Sequence, residues 1–438
     1  SKARVDWQPS ESPAIMAALA TYGEQLKVEG AIDFADLMLK SVRDMHSKSM
    51  PPLSVRWLLV DEAQDMDEIQ IEWVKIHARQ GIDVTLVGDD DQSLYSFRHA
   101  TGYAGLLHIS EFLSSAIISL PINYRSPDNI VRHANRLISH NVNRAPKSIE
   151  EARKSPGPIS VMRVADRWSE AELIASRIAS SEDIDSWAVL GRTNSILDKV
   201  EIAFVERTLP YIRMGGKSVW DKTVGSTLLG LLHSVAAGTW TGIANTLFFC
   251  GMAPALVNGL SRIRPDALGI ERLEAIIQDH LHSIDSSADR ELLNALQVAL
   301  QDWDQQARLD RPALVTHAVT AWLAERTSEE NASLLQRLEG ILCKMTGRLL
   351  NRLVTVSSRR VSHNGGASIM TMHTAKGLEF PNVWILGAEE GNLPHVDATQ
   401  EEERRLFYVG MTRTKGQLIV SSAADEGPVS RFVAESDL

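Results

Sequence analysis

The feature that most constrains the fold is a short apolar run that ends in a cluster of acids. Four apolar residues, Trp57–Val60, lead directly into the sequence Asp-Glu-Ala-Gln-Asp at residues 61–65. An uninterrupted apolar run of this length is typical of a strand buried on both faces, as in a parallel sheet. In open α/β sheets the functional groups lie just past the carboxyl ends of such strands. The run therefore predicts that Asp61 and Glu62 lie at a functional edge of a sheet.

Two adjacent carboxylates at such an edge suggest metal-assisted phosphate chemistry. Asp61 would hold Mg²⁺ on a nucleotide phosphate, and Glu62 would position and deprotonate the attacking water. For an isolated Asp-Glu pair, a strand followed by an exposed acidic turn is the commoner structure, because a motif without context is only a hypothesis. The motifs further along the chain decide between these two interpretations.

Composition excludes several classes of protein. With 438 residues, the chain is long enough for two to four domains with real cores. No stretch is apolar enough to cross a bilayer, and the start has no signal-peptide pattern. Cys250 and Cys343 are far apart and lack metal-ligand spacing, which favours a reducing compartment and a cytoplasmic location. The net charge of −11 is mildly unfavourable for nucleic-acid binding, but a local basic stripe would suffice.

The order of strand-like and helical runs predicts an α/β protein with parallel sheets. Residues 1–50 have helical spacing, with Asp33 as a possible helix cap. Strand-like apolar runs, separated by helical stretches, follow at residues 57–60, 84–87, 117–120, 159–164, 187–190, 369–372, 383–386 and 418–421. Between residues 218 and 360 the spacing is helical throughout; Leu292, Leu296 and Leu300, for example, share one face. This block predicts an all-helical domain inserted into an α/β domain.

Six different sequence motifs follow one another along the chain. They occupy residues 32–37, 60–65, 87–95, 123–126, 371–381 and 402–413, with the helical block between the fourth and fifth. In content, order and spacing these motifs resemble those of the UvrD/Rep family of superfamily 1 DNA helicases. Each motif alone is moderately specific. Together and in register they are very specific, and they turn the acidic pair after the first strand into a candidate ATPase site.

The resemblance implies a set of catalytic residues for ATP hydrolysis. Asp61 would hold Mg²⁺ and Glu62 would be the catalytic base. Gln92 is similar to the residue that senses the γ-phosphate and couples it to DNA. Arg125 would reach the γ-phosphate from a second domain, and Arg413 resembles the arginine finger. Phosphoryl transfer needs such cationic groups, a metal and a positioned water, because the protein does little covalent chemistry.

The resemblance also implies residues that bind the nucleotide and the DNA. Tyr124 would stack on adenine, and Glu379, with Gly377 beside it, would contact the ribose; Arg125 and Arg413 complete the nucleotide-binding set. The residues that resemble the family's contacts to single-stranded DNA are Tyr95, Phe97, Arg98, His373, Thr374 and Lys376. Aromatic side chains with adjacent cations hold single strands without reading their sequence.

Two positions in the stacking segment depart from the family pattern. Phe97 stands where the family usually has Trp, and we expect stacking to survive the exchange. As an alternative, Phe97 could simply pack in a core, since buried aromatic side chains are common. His99 replaces a usual Gly, which would alter the approach of DNA to the backbone.

The domain organisation implied by the resemblance is two RecA-like parallel-sheet domains, the first incomplete, with an all-helical domain inserted in the second. The expected boundaries are residues 1–116 for the partial first domain with a remnant of its helical insertion, 117–217 and 363–438 for the two parts of the second domain, and 218–362 for the helical insertion. ATP would be clamped between the RecA-like domains, and single-stranded DNA would run across both.

One expected motif is missing. The family's phosphate-binding loop should precede Asp61, and the sequence there contains no Gly-rich turn followed by Lys-Ser/Thr. The lookalike at residues 215–218, Gly-Gly-Lys-Ser, lacks the Gly at the right spacing and follows the fourth motif. Without the loop, the β- and γ-phosphates lose backbone amides and a Lys, and Mg²⁺ loses a hydroxyl ligand. We therefore expect a fragment of a full helicase that, alone, hydrolyses ATP poorly or not at all.

The function predicted from these observations is an ATP-dependent helicase or translocase. It would use ATP and Mg²⁺ and move 3′ to 5′, as its relatives do, on single-stranded DNA and at junctions of single and double strands, in a process such as DNA repair. No membrane role is expected. Two alternatives stay open: a catalytically inactive DNA-binding or partner-binding module, and the motor subunit of a helicase–nuclease complex.

Overall fold

The structure, a computed structural model, describes residues 12–359 and 365–438. The described helices are α1 (Pro13–Glu29), α2 (Phe34–His46), α3 (Glu68–Arg79), α4 (Gly102–Leu113), α5 (Asp128–Ile138), α6 (Arg167–Ala179), α7 (Asn194–Glu206), α8 (Thr223–Ala237), α9 (Thr241–Phe249), α10 (Pro254–Leu260), α11 (Gly269–His280), α12 (Ser287–Arg308), α13 (Pro312–Ala324), α14 (Glu329–Lys344), α15 (Leu349–Arg359), α16 (Gln400–Met411) and α17 (Arg431–Glu435). The described strands are β1 (Trp57–Val60), β2 (Asp83–Leu86), β3 (Ile122–Asn123), β4 (Glu150–Glu151), β5 (Ile159–Val164), β6 (Trp187–Gly191), β7 (Tyr211–Arg213), β8 (Ala367–Thr371), β9 (Phe380–Ile385) and β10 (Thr414–Ala423).

The chain folds into two compact units that interleave along the sequence. The first unit comprises the chain up to Ile122, together with Ile138–Glu150 and Thr399–Tyr408. The second unit comprises Asn123–Leu137, Glu151–Ala398 and Val409–Leu438. Helix α16 therefore begins in the first unit and ends in the second.

The first unit is built on a two-stranded parallel sheet. β1 pairs with β2 in parallel, from Trp57 opposite Asp83 to Val60 opposite Leu86. The inner face of this sheet packs on α3 and α4 through a core that contains Met66, Ile71 and Val74. α3 begins at a capping box in which the Asp67 carboxylate and the Gln70 side chain satisfy each other's backbone N–H groups. α2 is capped by Asp33, as the sequence predicts.

Two predictions about the strands of this unit are wrong. β1 is not buried on both faces, because Trp57 and Leu59 are 62% and 75% exposed. In the described part of the chain its sheet has two strands, so alternate side chains face away from α3 and α4. Residues 117–120 do not form a strand: Ile117, Ile118 and Leu120 are exposed, and β3 begins after them. An apolar run becomes a strand only where another strand pairs with it, and these residues have no such pairing.

The second unit contains a six-stranded sheet with the strand order β5-β10-β9-β6-β8-β7. Every adjacent pair in it is parallel. β6 and β8 are buried along their whole length, as their near-continuous apolar sequences predict. The prediction of a parallel α/β fold is confirmed in this sheet, and the five apolar runs predicted as strands between residues 159 and 421 lie on β5, β6, β8, β9 and β10.

The helical block lies between the strands of this sheet in sequence. Helices α8 to α15 enclose a core of leucine, isoleucine, valine and tryptophan side chains, among them Leu228, Leu296 and Trp303. The prediction of a helical insertion is confirmed; its exact boundaries stay a prediction. None of the helices in the described residues is both long and apolar enough to cross a bilayer.

A buried ion cluster joins α6 to the ends of two sheet strands. The Arg167 guanidinium, 2% exposed, donates to Glu170 and, at 2.6 Å, to Glu389. The Glu170 carboxylate also accepts from the Ser421 hydroxyl and, at 3.2 Å, from the Gly387 N–H. Burial raises the pKa of Glu389, while its hydrogen bond and ion pair with Arg167 lower it, leaving a raised value. This cluster therefore holds the carboxyl ends of β9 and β10, and with them the segment after β9, against α6.

Candidate functional site

The turn after β1 carries the predicted catalytic acids. Asp61 and Glu62 are both exposed, and Glu62 has a left-handed backbone with φ of 51°. The Glu62 N–H donates to Asp61 Oδ1 at 2.8 Å. The Glu62 carboxylate in turn accepts a hydrogen bond from the Gln64 side-chain amide, with 2.5 Å between Nε2 and Oε2. Each acid thus has an oxygen held by a hydrogen bond, and both side chains are exposed.

Gln64 also ties this turn to the one that follows β2. Its side-chain oxygen accepts from the Asp89 N–H at 2.9 Å. Gly88 makes this approach possible, because a Cβ there would lie 2.8 Å from Gln64 Oε1. Gln64 is completely buried. A single buried amide therefore connects Glu62 with the segment that carries Gln92.

Gln92, the predicted γ-phosphate sensor, is held by Asp89. Its side-chain amide donates to Asp89 Oδ2 at 2.6 Å. Asp89 is followed by the buried carboxylates of Asp90 and Asp91. Lys147 contacts all three acids, with Nζ 2.6 Å from Asp90 Oδ1 and 3.2 Å from Asp91 Oδ2. We call Asp89, Asp90, Asp91 and Lys147 the charge cluster.

The charge cluster is electrostatically coupled. Arg144 forms a bidentate ion pair with Asp91, with N–O distances of 2.9 and 2.7 Å. Burial alone would lower the pKa of Lys147, but the charges of Asp89 and Asp91 raise it above its ordinary value. Burial alone would raise the pKa of Asp89, but the charge and hydrogen bond of Lys147 hold it below its ordinary value. Both residues therefore stay charged at neutral pH.

Among the carboxylates of the first unit, Asp61 is better suited to hold Mg²⁺ than the three acids of the charge cluster. The three carboxylates of the cluster lie close enough together to share a cation, but Lys147 and Arg144 already meet their charge. Asp61 is an exposed carboxylate with an uncommitted oxygen. Mg²⁺ in nucleotide sites commonly takes one or two carboxylates plus phosphate and water oxygens. Asp61 fits that role.

The predicted DNA-stacking residues form an exposed loop, Tyr95–His99, which we call the stacking loop. The rings of Tyr95 and Phe97 meet edge to face at 6.0 Å, and Arg98 lies 5.7 and 5.6 Å from their centroids. Phe97 is 64% exposed, which excludes the alternative that it packs in a core. His99, where the family has Gly, ends the turn with φ of 63°. Such a backbone costs a non-glycine residue roughly 1 kcal/mol.

Two of the predicted nucleotide-binding residues of the second unit, Arg125 and Glu379, are in direct contact. Arg125 Nε lies 2.9 Å from Glu379 Oε2, and Lys415 pairs with the other oxygen. Hydrogen bonds from Lys415 and then Arg125 lower the pKa of Glu379 to about 2. Tyr124 is 73% exposed and available for stacking. Gly377 has φ of +81°, which explains the need for glycine there.

Arg413, the predicted arginine finger, is buried in the second unit. Its Nε donates to the Val409 carbonyl at 3.0 Å, and Nη1 donates to the Leu378 carbonyl at 3.4 Å. The side chain is 1% exposed. In this conformation the guanidinium holds the end of α16 against the segment before Glu379. A role at a phosphate therefore requires these carbonyl contacts to be exchanged.

The remaining predicted DNA contacts lie in the turn after β8. Thr371 Oγ1 and Thr374 Oγ1 are hydrogen-bonded at 3.0 Å, and Lys376 is half-buried beside them in sequence. Burial, reinforced by the charge of Arg192, lowers the pKa of His373 to about 4. His373 is therefore neutral at pH 7. Gly215 packs against this turn, because a Cβ there would lie 2.4 Å from Thr374 Oγ1.

The predicted site residues are divided between the two units. Those of the first unit are Asp61, Glu62, Gln92, Tyr95, Phe97 and Arg98, and those of the second are Tyr124, Arg125, His373, Thr374, Lys376, Gly377, Glu379 and Arg413. Sequence reasoning missed Arg144, Lys147, Glu402 and Lys415. The first two follow the fourth motif with no signal beyond their charge. Glu402 lies in a run of acids that resembles an ordinary helix start.

Comparison with known proteins agrees with these motifs. The family profile for the UvrD-like helicase C-terminal domain matches residues 118–239 and 290–425. The profile for the UvrD/REP helicase N-terminal domain matches residues 4–109. DNA helicase II of Haemophilus influenzae is 28% identical over 459 residues, covering 93% of this chain and 62% of the relative.

Further relatives are similar over the same span. ATP-dependent DNA helicase PcrA of Bacillus subtilis is 28% identical over 473 residues, which cover 95% of this chain and 63% of the relative. PcrA of Staphylococcus epidermidis is 27% identical over 441 residues, with 92% and 60% coverage. The chain thus spans about three fifths of the length of these relatives. Because the C-terminal profile alone matches more than half of the chain, the chain belongs to the UvrD-like helicase family.

Proposed function

We propose that the chain works as part of an ATP-dependent DNA helicase that moves 3′ to 5′ along single-stranded DNA and acts at junctions of single and double strands in the cytoplasm. The relatives are named as DNA helicases, and several as ATP-dependent ones. The observation that carries the proposal is the stacking loop: an exposed Phe97 ring and a half-buried Tyr95 ring with Arg98 beside both, in the same unit as the acidic pair. Aromatic rings with an adjacent cation suit unpaired bases and their phosphates.

The residues of the first unit are proposed to prepare the hydrolysis of ATP. Asp61 would hold Mg²⁺, which when bound neutralises charge on the β- and γ-phosphates. Glu62 would orient the attacking water and accept its proton. Gln64 would fix the Glu62 carboxylate through the hydrogen bond described above. Gln92, held by Asp89, would meet the γ-phosphate.

The residues of the second unit are proposed to contribute further contacts to the nucleotide. Tyr124 would stack on adenine and Glu379 would accept from the ribose hydroxyls. Arg125 now donates to Glu379, so it must exchange this partner for the γ-phosphate. Lys415 would keep the Glu379 carboxylate paired when Arg125 leaves. Arg413 would make a similar exchange from its carbonyl partners.

The proposed domain roles follow the sequence-based boundaries. Residues 1–116 would belong to the first RecA-like domain, residues 117–217 and 363–438 to the second, and residues 218–362 to the helical insertion. DNA contacts from His373, Thr374 and Lys376 would then lie on the second domain. Neutral His373 would serve as a hydrogen-bonding or packing group rather than as a cation toward phosphate.

The first prediction concerns the stacking loop. Phe97→Ala should weaken the binding of an oligo-dT of about 15 nucleotides by roughly 5- to 100-fold, because stacking on an aromatic side chain contributes about 1–3 kcal/mol per base. Phe97→Trp should bind as well as the wild-type chain or better. Fluorescence anisotropy of the labelled oligonucleotide measures both effects at fixed salt. Phe112→Ala, a partly exposed aromatic on α4, is the matched control and should leave affinity unchanged. Equal affinity of Phe97→Ala and wild type would remove the loop from the DNA site.

The second prediction concerns ATP hydrolysis. The chain contains no phosphate-binding loop before Asp61, so we expect its DNA-stimulated ATPase rate to be barely above background. A coupled assay for released phosphate with and without oligo-dT measures this rate. A steady rate that disappears in Glu62→Gln would contradict the expectation and would show that other residues hold the phosphates.

The alternative function is a DNA-binding module that does not hydrolyse ATP. The two candidates differ in what nucleotide does to DNA binding. A motor requires MgATP to change the affinity for oligo-dT, because the two processes share Gln92 and its neighbours. An inactive module would bind oligo-dT with the same affinity in the presence and absence of MgATP.

A further inference from the structure

The stacking loop is anchored by one carboxylate from the start of α16. The Ser96 N–H donates to Glu402 Oε1 at 3.3 Å, and the Ser96 hydroxyl donates to Glu402 Oε2. Both residues belong to the first compact unit, although they lie 306 positions apart in sequence. The two oxygens of Glu402 therefore hold the backbone and the side chain of the residue between Tyr95 and Phe97.

The turn between Tyr95 and His99 is short and begins at Ser96, the residue that Glu402 contacts. Residues 96–98 form a single 3-10 turn, which has poorer hydrogen-bond geometry than an α-helix. The N–H groups that begin a helical turn have no partner within the turn itself. Phe97 is mostly exposed, so packing contributes little to its position. Glu402 supplies the acceptor that the start of this turn lacks.

Electrostatics alone would disfavour an acid at this place. A carboxylate beside a loop that binds DNA repels the phosphates by like charge. The neighbouring acids serve other contacts: Glu401 accepts from the Val142 N–H at 2.8 Å and from the Asn143 N–H at 3.3 Å, and Glu403 is buried. Glu402 is the member of this run that reaches the stacking loop. Its benefit must lie in geometry rather than in charge.

We propose that Glu402 is a positioning residue that holds Tyr95 and Phe97 in the arrangement that receives unpaired bases. The proposal rests on the proposed function, because it assumes that single-stranded DNA stacks on this loop. Without the anchor the turn would sample several conformations, and DNA would have to order it on binding. That ordering lowers affinity without removing any group that touches DNA.

The test compares two substitutions that separate geometry from charge. Glu402→Gln removes the negative charge but keeps a side-chain oxygen that accepts from Ser96, so its affinity for oligo-dT should equal or exceed that of wild type. Glu402→Ala removes charge and anchor together, and we expect affinity to fall about 5- to 10-fold, part of the stacking energy of one or two bases. Glu111→Ala, an exposed acid on α4, is the control for lost charge and should not weaken binding.

Two further measurements distinguish an effect on base stacking from a general loss of stability. A 2-aminopurine base in the oligonucleotide is quenched when it stacks, so Glu402→Ala should reduce the quenching at saturating protein, which a loss of general stability would not do. In a background that lacks both rings, Tyr95→Ala with Phe97→Ala, Glu402→Ala should cost less than twofold, because its effect acts through these two rings. Should Glu402→Ala reduce folding yield, Ser96→Ala removes the hydroxyl donor without altering α16 and should weaken binding by about 2- to 5-fold.

Each outcome decides the proposal. Affinity that rises equally in Glu402→Ala and Glu402→Gln would show that Glu402 acts by charge alone, and the proposal would fail while Phe97→Ala still reports DNA binding by the loop. An undiminished effect of Glu402→Ala in the background that lacks both rings would show that Glu402 acts on the structure in general and not through stacking. If the wild-type chain fails to bind oligo-dT and Phe97→Ala changes nothing, the proposed function and this proposal fail together.

Discussion

Lys147→Ala should lower the free energy of unfolding of the first unit by about 3–5 kcal/mol at neutral pH, the typical cost of breaking a buried ion pair. The variant leaves the carboxylates of Asp89, Asp90 and Asp91 without the cation that contacts all three. Asp90 and Asp91 are buried, so water cannot replace the lysine. Arg144 still pairs with Asp91, and the loss is therefore expected to concentrate at Asp89 and Asp90.

The dependence of this loss on pH follows from the signs of the pKa shifts. In the wild type the pKa of Asp89 is lowered, so its contribution to stability is present above its unfolded value and is lost as pH falls through the folded value. In Lys147→Ala, Asp89 loses the cation that lowers its pKa and keeps two carboxylates beside it, which raises that pKa. Protonation then relieves the penalty, and the difference between variant and wild type should shrink as the pH falls from about 7.5 to about 5.

Urea unfolding at the two pH values measures the difference, and hydrogen exchange of the peptides that contain β1 and β2 assigns it to the first unit. Lys154→Ala, an exposed lysine seven positions further along the chain, is the matched control and should change stability by less than about 0.5 kcal/mol. A penalty that stays constant or grows on acidification would contradict a role for Lys147 as counter-charge. Loss of the Gln92 position should accompany the penalty, because Asp89 holds Gln92.

Arg167→Met is the second change with a large expected effect, again about 3–5 kcal/mol. Methionine fills much of the volume but leaves the carboxylates of Glu170 and Glu389, both fully buried, without their shared cation. These acids also accept hydrogen bonds from Ser421 and from the Ala423 N–H, so the ends of β9 and β10 should loosen with them. The loss should appear as a lower midpoint in urea, followed by tryptophan fluorescence.

A neutral version of the buried ion cluster around Arg167 distinguishes the loss of charge balance from the loss of packing. Arg167→Met combined with Glu170→Gln and Glu389→Gln removes all three charges and should recover at least half of the lost stability, since apolar or neutral replacements of buried ion clusters are often tolerated. Arg177→Ala, an exposed arginine on the same helix, should have little effect. If the triple variant is no more stable than Arg167→Met alone, the charge imbalance is not the cause of the loss.

The sequence predicted the strands wherever an apolar run lies inside a wide sheet. The runs at β6 and β8 are buried on both faces because strands flank them and helices cover them. The same pattern at β1 predicted full burial and was wrong, because burial depends on what covers the strand, which is not encoded in the strand itself. The run at 117–120 was wrong for a related reason: β-pairing is a property of two segments.

The site was predictable to the extent that its residues lie in local motifs. The apolar run before them placed the acids after β1, and the family resemblance singled out Tyr95 and Phe97, whose rings meet in the stacking loop, and Arg125 and Glu379, which form an ion pair. That Arg125 and Glu379 serve one ligand stays a prediction. Lys147 and Glu402 act across 57 and 306 positions, and neither stands in a sequence pattern that announces its partner. A role can be assigned to a single charged residue only when the fold shows which opposite charge or otherwise unpaired N–H group it contacts.

The buried amide of Gln64 has a consequence for timing. An amide offers one oxygen and one NH₂ group; the oxygen accepts from the Asp89 N–H, so the NH₂ group must face Glu62. The proposed general base, Glu62, and the segment that would detect the terminal phosphate are therefore held by the same buried side chain. A displacement of that segment on nucleotide binding would also reorient the Glu62 carboxylate. The attacking water would then be activated only when the nucleotide is fully bound.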